Sequence, residues 1–202
     1  MIVIIDFGMG NLGSIKNMLE KIGTKVIISS KSKDIEKADK LILPGVGAFD
    51  NAMNNLQKLN LIPILNKKVL EDKIPILGIC LGMQLLMEKS EEGKLKGLRW
   101  IKGEVIKFKF KGNSLKTPHM GWNTLKILDK KSLFANNSKE VRFYFVHSYH
   151  VVCKNKENIL ATTNYGYDFT SAVHKGNIYG TQFHPEKSHK FGLKLLKNFI
   201  EL

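Results

Sequence analysis

The sequence predicts an α/β protein in which helices cover both faces of a largely parallel sheet. Apolar runs of strand length alternate with amphipathic segments of helical period through the first half of the chain. The second half changes to shorter runs that alternate apolar with polar residues, which is typical of strands with one solvated face. No linker, repeat or low-complexity tract interrupts the 202 residues, so we expect a single domain, residues 1–202, with a mixed sheet.

The first half contains the strands that we expect to pair in parallel. Each consists mainly of residues suited to burial on both faces: MIVIIDF, KVIIS, KLILPG and IPILGI. A helix between the first two is predicted to be capped by Asn11 and to end at Gly23. Further helices are predicted at Phe49–Leu59 and around Pro63, which suits a first helical turn.

The second half contains strands separated by short polar breaks, followed by a terminal helix. The predicted strands are GEVIKFKFKG, TLKIL, RFYFVHSYHVV, ILATT, FTSAVHKG and NIYGTQF. Phe191, Leu195 and Phe199 recur at helical spacing and predict the buried face of the last helix.

The charge balance is strongly basic, with 32 Lys+Arg against 18 Asp+Glu and a net charge of +14. This raises the possibility of a nucleic-acid partner. However, the lysines are scattered, and only Arg99 and Arg142 offer the guanidinium fork that base recognition favours. We therefore expect no nucleic acid, and an acidic protein partner or an anionic substrate instead.

The apolar content indicates neither a membrane span nor a secretion signal. No apolar run approaches the roughly 18 residues that a span needs. The opening MIVIIDF lacks a charged leading region and reaches Asp6 early. With two cysteines and no signal, we expect a reduced, cytoplasmic protein without structural disulfides.

The strongest local signal is Gly78-Ile79-Cys80-Leu81-Gly82. A nucleophile between a strand and a helix sits on a sharp turn, and small residues two positions away relieve the crowding there. We predict a helix over Leu81–Lys89 whose N-terminus favours the thiolate, with the Leu81 N–H facing the same space. The alternative is a buried structural cysteine, which is the interpretation that we favour for Cys153.

His184 is the best candidate for a base that serves this cysteine. It follows a predicted strand, and Glu186 lies two residues on, where it can fix the tautomer of the imidazole. His147 and His150 compete for the role and have a spacing that suits a metal. No cysteine or acidic cluster completes a zinc set with them, so we expect no metal site.

These motifs resemble the class I (triad) glutamine amidotransferases. GICLGMQLL and TQFHPEKS are similar to the nucleophile and His-Pro-Glu motifs of that family. FGMGNLGSI, LPGVGAF and PHMGWN are similar to the HisH-type glutaminase subunits of imidazole glycerol phosphate synthase. The resemblance extends from Asp6 to Ser188 and implies a flavodoxin-like, three-layer fold with a largely parallel sheet.

The resemblance implies that the chain hydrolyses glutamine to glutamate and ammonia without a cofactor. The implied triad is Cys80, His184 and Glu186. Backbone amides near Val46 and Leu81 are the implied oxyanion hole, on a glycine-flanked loop and after the nucleophile. The implied contacts to glutamine come from Gly47, Gln84, Ser148 and Tyr149.

The resemblance also implies a heterodimer with a (β/α)₈-barrel cyclase. The cyclase uses the ammonia to make imidazole glycerol phosphate and an aminoimidazole carboxamide ribonucleotide in histidine biosynthesis. The residues implied at the interface are Asn11, Met120, Trp122 and Lys187. Trp122 has the amphipathic ring that interfaces favour, although a core tryptophan is the alternative.

Three other functions stay open. One is a stand-alone cysteine hydrolase, which PHMGWN and FGMGN disfavour because an exposed site needs no interface motif. Another is a catalytically silent binding protein, which the intact Cys-His-Glu set disfavours. The third is a paralogous glutaminase that supplies ammonia to another acceptor, such as a surface-sugar precursor. Lys102 and His189 are departures from the pattern that fit a different partner and fit sequence drift equally well.

Overall fold

The computed structural model describes residues 1–110, 115–129, 132–135 and 140–202. Its strands are β1 Ile2–Ile5, β2 Val26–Ser29, β3 Lys40–Leu43, β4 Ile76–Ile79, β5 Lys89–Ser90, β6 Gly103–Lys107, β7 His119–Thr124, β8 Lys126–Ile127, β9 Arg142–His147, β10 Tyr149–Cys153, β11 Ile159–Asn164, β12 Asp168–Lys175 and β13 Ile178–Thr181. Its α-helices are α1 Leu12–Lys21, α2 Ser32–Glu36, α3 Phe49–Lys58, α4 Ile62–Asn66, α5 Leu81–Leu85 and α6 His189–Glu201. A π-helical segment, Lys67–Glu71, continues α4.

The main sheet is parallel in its first half and mixed in its second. The order β2-β1-β3-β4-β13 is parallel throughout. Beyond β13 the sheet continues antiparallel through β12, β10 and β6. The predicted mixed, largely parallel sheet is therefore confirmed in its arrangement, and the carboxyl ends of β4 and β13 meet side by side.

Alternate residues of the parallel strands face opposite layers of helices. In β1, Val3 and Ile5 pack with the apolar face formed by α2, α3 and α4. Ile2 and Ile4 pack on the other side, with Ile15 of α1 and with α6. Burial on both faces explains why these strands are continuous apolar runs. Among the described residues, none of the helices has the combined length and apolar character that crossing a membrane requires.

The prediction that RFYFVHSYHVV forms one strand is wrong, because the chain is divided at Ser148. The part before Ser148 is β9, which pairs with β7 in a separate two-stranded antiparallel sheet. The part after it is β10, which pairs with β6 in the main sheet. The Ser148 carbonyl accepts a hydrogen bond from the Phe108 N–H at 3.1 Å, which fixes the crossing point. Of the predicted strand GEVIKFKFKG, β6 ends at Lys107, and residues 111 and 112 lie outside the described residues.

The helix predicted over Leu81–Lys89 is shorter than expected. The helix α5 ends at Leu85, and Lys89 already begins β5. The Leu85 carbonyl accepts the N–H of Leu98 at 2.8 Å, and the Leu86 carbonyl accepts the N–H of Trp100 at 3.0 Å. These non-local bonds replace further helical turns, so the chain leaves the helical path after little more than one turn.

Gly82 is predicted to tolerate no side chain, because a Cβ built there would lie 1.8 Å from the Leu43 carbonyl oxygen. We expect Gly82→Ala to lower the free energy of unfolding by at least about 3 kcal/mol, since backbone must move. Gly13 on α1 is the matched control, with nothing within 4 Å of a built Cβ. Gly13→Ala should raise the free energy of unfolding by about 0.5–1 kcal/mol. Urea unfolding measures both, and equal effects would contradict the prediction.

Candidate active site

Cys80 sits on a strained turn directly after β4. Its backbone has φ +54° and ψ −109°, a conformation that non-glycine residues rarely adopt. Its N–H donates to the Thr181 carbonyl at 2.7 Å. A Cβ on Gly78 would lie 2.7 Å from the Gly82 carbonyl, so the glycines beside the nucleophile are required by backbone contact. The predicted turn is therefore present, and it presents the thiol at the carboxyl edge of the sheet.

His184 reaches the same edge because β13 lies next to β4. The two strands are parallel, with Thr181 opposite Ile79. His184 follows three residues after Thr181, and its Nδ1 lies 2.7 Å from Glu186 Oε1, with both side chains only 2% exposed. A carboxylate at Nδ1 places the ring proton there. The other ring nitrogen, Nε2, is buried and has no hydrogen-bond partner among the described residues.

The surroundings of His184 favour the protonated imidazolium. Burial acts to lower the pKa of His184, but the neighbouring Cys80 and the hydrogen-bonded carboxylate of Glu186 outweigh it and raise the pKa to about 10. A positively charged histidine beside a cysteine is the arrangement that nucleophilic thiol chemistry needs.

Two residues that the sequence reasoning missed hold His184 in place. The His184 N–H donates to the Tyr144 carbonyl at 2.9 Å. The Ser188 hydroxyl donates to the His184 carbonyl at 2.6 Å and accepts from the Tyr144 N–H at 3.0 Å. The position of Ser188, four residues after His184, is the sequence signal for this contact; the pairing with Tyr144 has no local signal.

One cavity of about 390 Å³ gathers the predicted catalytic and substrate residues. Cys80 and His184 line it together, and Glu186 lies behind His184. Its remaining walls are Val46, Gly47, Leu81, Gln84, Glu92, Pro118, Val146, His147, Ser148 and Tyr149. Every residue predicted to bind glutamine or to form the oxyanion hole is in this set.

Glu92 is a pocket residue that the sequence reasoning did not identify. Its carboxylate accepts the Phe49 N–H at 2.9 Å. Burial raises the pKa of Glu92 and outweighs the opposing effect of that hydrogen bond. Glu92 lies within the charged stretch SEEGK, residues 90–94, and nothing in the sequence of that stretch separates it from its neighbours.

The Leu81 N–H, predicted to face an oxyanion, is occupied in this structure. It donates to the Gly45 carbonyl at 3.3 Å, across the loop that carries Val46 and Gly47. Gly47 has φ +103°, so the loop uses a backbone conformation that favours glycine. The short length of α5 also gives the thiol a smaller helix dipole than the predicted nine-residue helix.

The predicted interface residues lie mostly on exposed surface around the site. Met120 is 62% exposed and Trp122 45% exposed, which rules out the core alternative for Trp122. Lys187 is exposed and holds its Nζ 5.7 Å from the centre of the Tyr144 ring. Asn11 is exposed at the N-cap of α1, but its side chain makes no capping hydrogen bond.

The competing histidines and the second cysteine are not part of the catalytic pair. His147 lines the cavity, but burial lowers its pKa to about 3. His150 is buried against Tyr167, with 2.9 Å between His150 Nε2 and the phenol oxygen. Cys153 is buried as predicted, and burial raises its pKa to about 12. Within the described residues, no cluster of three or more His, Cys, Asp or Glu side chains has a geometry that would hold a metal.

Comparison with known proteins agrees with this geometry. The profile of the family described as "Glutamine amidotransferase class-I" matches residues 3–202. The chain belongs to the class I glutamine amidotransferases. The fold and the glutaminase chemistry implied by the sequence resemblance are confirmed by this membership.

Curated relatives of this amidotransferase match over its full length. It is 61% identical to "Imidazole glycerol phosphate synthase subunit HisH 2" of Methanococcus maripaludis, covering 100% of this chain and 99% of that protein. It is 51% identical to subunit HisH 1 of the same organism, covering 100% of both chains. It is 48% identical to subunit HisH 2 of Pseudomonas aeruginosa, again over 100% of both. The amidotransferase is thus of the HisH type.

Solved structures agree with the fold of the amidotransferase. A "glutamine amidotransferase" crystal structure superposes with a TM-score of 0.78 at 18% identity, over 100% of this chain and 98% of that one. PurLQS from Thermotoga maritima gives a TM-score of 0.72 at 19% identity, over 99% and 97%.

The raised pKa of His184 predicts how stability depends on pH. The folded chain holds this proton more tightly than the unfolded chain, in which the pKa of a histidine has its ordinary value of about 6.5. The stabilisation is therefore complete below pH 6.5 and is lost as pH rises towards about 10. His119 and His147 have lowered pKa values and act only below pH 6.5, so they do not contribute in this window.

Glu186→Gln should reduce this pH dependence, because it removes one of the charges that raises the pKa of His184. We expect the wild-type free energy of unfolding to fall between pH 7 and pH 9 by about 1–3 kcal/mol more than that of Glu186→Gln. Urea unfolding at the two pH values measures the difference. Parallel declines in the two proteins would contradict the assignment of this titration to His184.

Proposed function

We propose that the chain is the glutaminase subunit of imidazole glycerol phosphate synthase and acts in histidine biosynthesis. It hydrolyses glutamine to glutamate and ammonia, without a cofactor, and passes the ammonia to a partner subunit. The observation that carries the proposal is the buried His184–Glu186 pair, with 2.7 Å between His184 Nδ1 and Glu186 Oε1. His184 lines the same cavity as Cys80, a nucleophile whose backbone has a positive φ. We take residues 1–202 to act as one domain, in the cytoplasm.

In the first step, Cys80 Sγ attacks the γ-amide carbon of glutamine and a tetrahedral oxyanion forms. His184 Nε2 carries the proton, as its pKa of about 10 favours, and donates it to the departing nitrogen. Ammonia leaves and a γ-glutamyl thioester remains on Cys80. Glu186 keeps its hydrogen bond to Nδ1 throughout and so holds the ring in one orientation.

In the second step, water hydrolyses the thioester. His184 Nε2, now neutral, takes a proton from the water as the water oxygen attacks the thioester carbon. The carbon–sulfur bond then breaks, glutamate leaves, and the thiolate–imidazolium pair is restored. The two steps use the same base, the same acid and the same oxyanion site.

The oxyanion is stabilised by backbone N–H groups of Leu81 and Val46. The Leu81 N–H first has to leave the Gly45 carbonyl, to which it donates at 3.3 Å. An oxyanion is the stronger acceptor because its hydrogen bonds are charge-assisted. Loss of one such donor typically costs about 10²–10³ in rate, so the conformation of the 45–47 loop controls turnover.

The walls of the cavity match the polar ends of glutamine. Glu92 supplies a carboxylate for the α-ammonium group, which is the one positive charge on glutamine. The backbone around Gly47, Ser148 and Tyr149 offers hydrogen bonds to the remaining polar atoms. Both N–H groups of the Gln84 amide are used within the protein, so its carbonyl oxygen is the atom that faces a ligand.

The partner subunit is a (β/α)₈-barrel cyclase that docks over the site. Free ammonia is protonated in neutral water and is then no longer a nucleophile, so the site needs a cover that conducts it away. The exposed apolar pair Met120 and Trp122 gives that partner an anchor, and the exposed side chains of Lys187 and Asn11 offer it polar contacts. The net charge of +14 favours an acidic surface around the barrel mouth.

A second acceptor is the alternative, and one observation favours keeping it. Methanococcus maripaludis has relatives numbered HisH 1 and HisH 2, and this chain is 51% and 61% identical to them. Two such subunits in one organism suit two different ammonia acceptors. Formation of imidazole glycerol phosphate by the purified complex decides between them: its absence, with glutamine hydrolysis intact, would favour the second acceptor.

Cys80→Ala should abolish glutamine-dependent synthesis, because no other group can form the thioester. Ammonium salts should still support the partner's reaction at the wild-type rate, since the cyclase site is untouched. Product formation with each nitrogen source measures both. Residual glutamine-dependent activity in the variant would contradict the role of Cys80.

Trp122→Ala should weaken binding of the cyclase, because it removes an exposed ring from the anchor. We expect the Kd to rise by about tenfold to thirtyfold in titration calorimetry, and the yield of product per glutamine hydrolysed to fall. Lys187→Ala should lower that yield in the same direction. Leu70→Ala is the control, since Leu70 is 40% exposed on the segment that precedes β4. That segment lies at the amino-terminal end of β4, whereas the site lies at its carboxyl end. Equal effects from Trp122 and Leu70 would remove Trp122 from the interface.

A further inference from the structure

Gln182 contacts the nucleophile and has no role in the chemistry described above. Its side chain is fully buried, between β13 and His184 in the chain. Its amide nitrogen donates a hydrogen bond to Cys80 Sγ at 3.7 Å. Because a thiolate accepts hydrogen bonds more strongly than a thiol, this donor favours the reactive form of sulfur.

The orientation of the Gln182 amide is set by Gln84. The Gln84 amide nitrogen donates to the Tyr149 carbonyl at 3.2 Å and to Gln182 Oε1 at 3.1 Å. Both acceptors are oxygens, which fixes the nitrogen of Gln84 on that side. With Oε1 of Gln182 held by Gln84, the amide nitrogen of Gln182 has to face the sulfur.

Two buried histidines continue the same chain of hydrogen bonds beyond Tyr149. His147 Nδ1 lies 2.7 Å from the Tyr149 carbonyl, so Nδ1 carries the proton and Nε2 is an acceptor. His119 Nδ1 lies 3.0 Å from that Nε2 and therefore donates to it. His119 Nε2 is left as an acceptor, and the Asn123 amide nitrogen lies 3.2 Å away.

A single set of proton positions satisfies every link, and it requires both rings to be neutral. Burial lowers the pKa of His119 to about 4 and is the main cause that lowers the pKa of His147 to about 3. Each ring therefore carries one proton at neutral pH, as this set of hydrogen bonds requires. We call the whole set the relay: it runs from Asn123 through His119, His147, the Tyr149 carbonyl, Gln84 and Gln182 to Cys80.

The relay begins on the buried face of β7, the strand whose other face carries the exposed residues Met120 and Trp122. Along β7, His119 is buried and Asn123 half-buried on one face, whereas Met120 and Trp122 are exposed on the other. Successive residues of a strand point to opposite faces, so a shift of β7 moves both sets together.

We infer that Gln182 is a positioning residue for the Cys80 thiolate. We also infer that the His119–His147 pair links the orientation of the Gln182 amide to the position of β7. A partner that presses on Met120 and Trp122 thereby changes how the thiol is solvated. This inference rests on the proposed function for its consequence in turnover, but the hydrogen bond to sulfur is testable without glutamine.

The first experiment measures alkylation of Cys80 by iodoacetamide against pH in the full chain. Gln182→Met keeps the length of the side chain and removes the donor, and we expect the pH midpoint to rise by about one unit. Gln182→Glu adds a negative charge beside the sulfur and should raise the midpoint further. Mass spectrometry assigns the site, and modification of buried Cys153 would reveal an unfolded variant.

The second experiment changes the far end of the relay, which keeps the inference falsifiable if a Gln182 variant does not fold. His119→Leu removes the donor to His147 and should raise the midpoint of alkylation by about half a unit. His119→Asn restores an amide N–H near the position of Nδ1 and should return the midpoint towards that of the wild type. Tyr167→Phe is the matched control, because it breaks the hydrogen bond to His150 in the same aromatic cluster outside the relay.

The inference is overturned if a folded Gln182→Met or His119→Leu protein alkylates with the wild-type midpoint, or if Tyr167→Phe shifts the midpoint as much as His119→Leu. Failure of the wild-type complex to hydrolyse glutamine would overturn the proposed function instead. The alkylation midpoints would still report on the relay in that case, because the reagent needs no substrate.

Discussion

The parallel pairing of β4 with β13 is the constraint on which the site depends. It sets Ile79 opposite Thr181, although these residues are far apart in the chain. The Cys80 N–H then donates a hydrogen bond to the Thr181 carbonyl at 2.7 Å. The thiol and the imidazole then emerge at the same edge, where parallel strands end. The main sheet therefore sets the separation between the nucleophile and its base, and the helices packed on both faces support that sheet.

Strain at the nucleophile is held by close backbone contacts. Cys80 adopts a φ of +54°, which costs free energy that the surroundings must offset. Gly78 and Gly82 allow the turn to pack directly against neighbouring backbone, with no room for a Cβ at either position. This tight packing fixes the thiol in space, in the same cavity as the imidazole of His184.

The small sheet of β7 and β9 connects the site with the surface. The carbonyl of Tyr144 on β9 holds His184, and the inner face of β7 starts the hydrogen bonds that reach Gln182. The outer face of β7 carries Met120 and Trp122. One pair of strands thus supports the base, orients a donor to the sulfur and presents an apolar surface. Under the proposed function, docking of the partner subunit and the chemistry would both depend on the backbone of this small sheet.

The sequence by itself determined the strand–turn–helix around Cys80, the acid two residues after His184 and the alternation of elements, because these depend on neighbours close in the chain. It also carried the family resemblance through short motifs. Tertiary structure decided what depends on distant partners: the early end of α5 at Leu85, the division of one predicted strand at Ser148, the occupied Leu81 N–H and the place of Glu92 in the cavity. Hydrogen bonds between segments far apart in sequence fix each of these, and no local pattern of residues specifies such bonds.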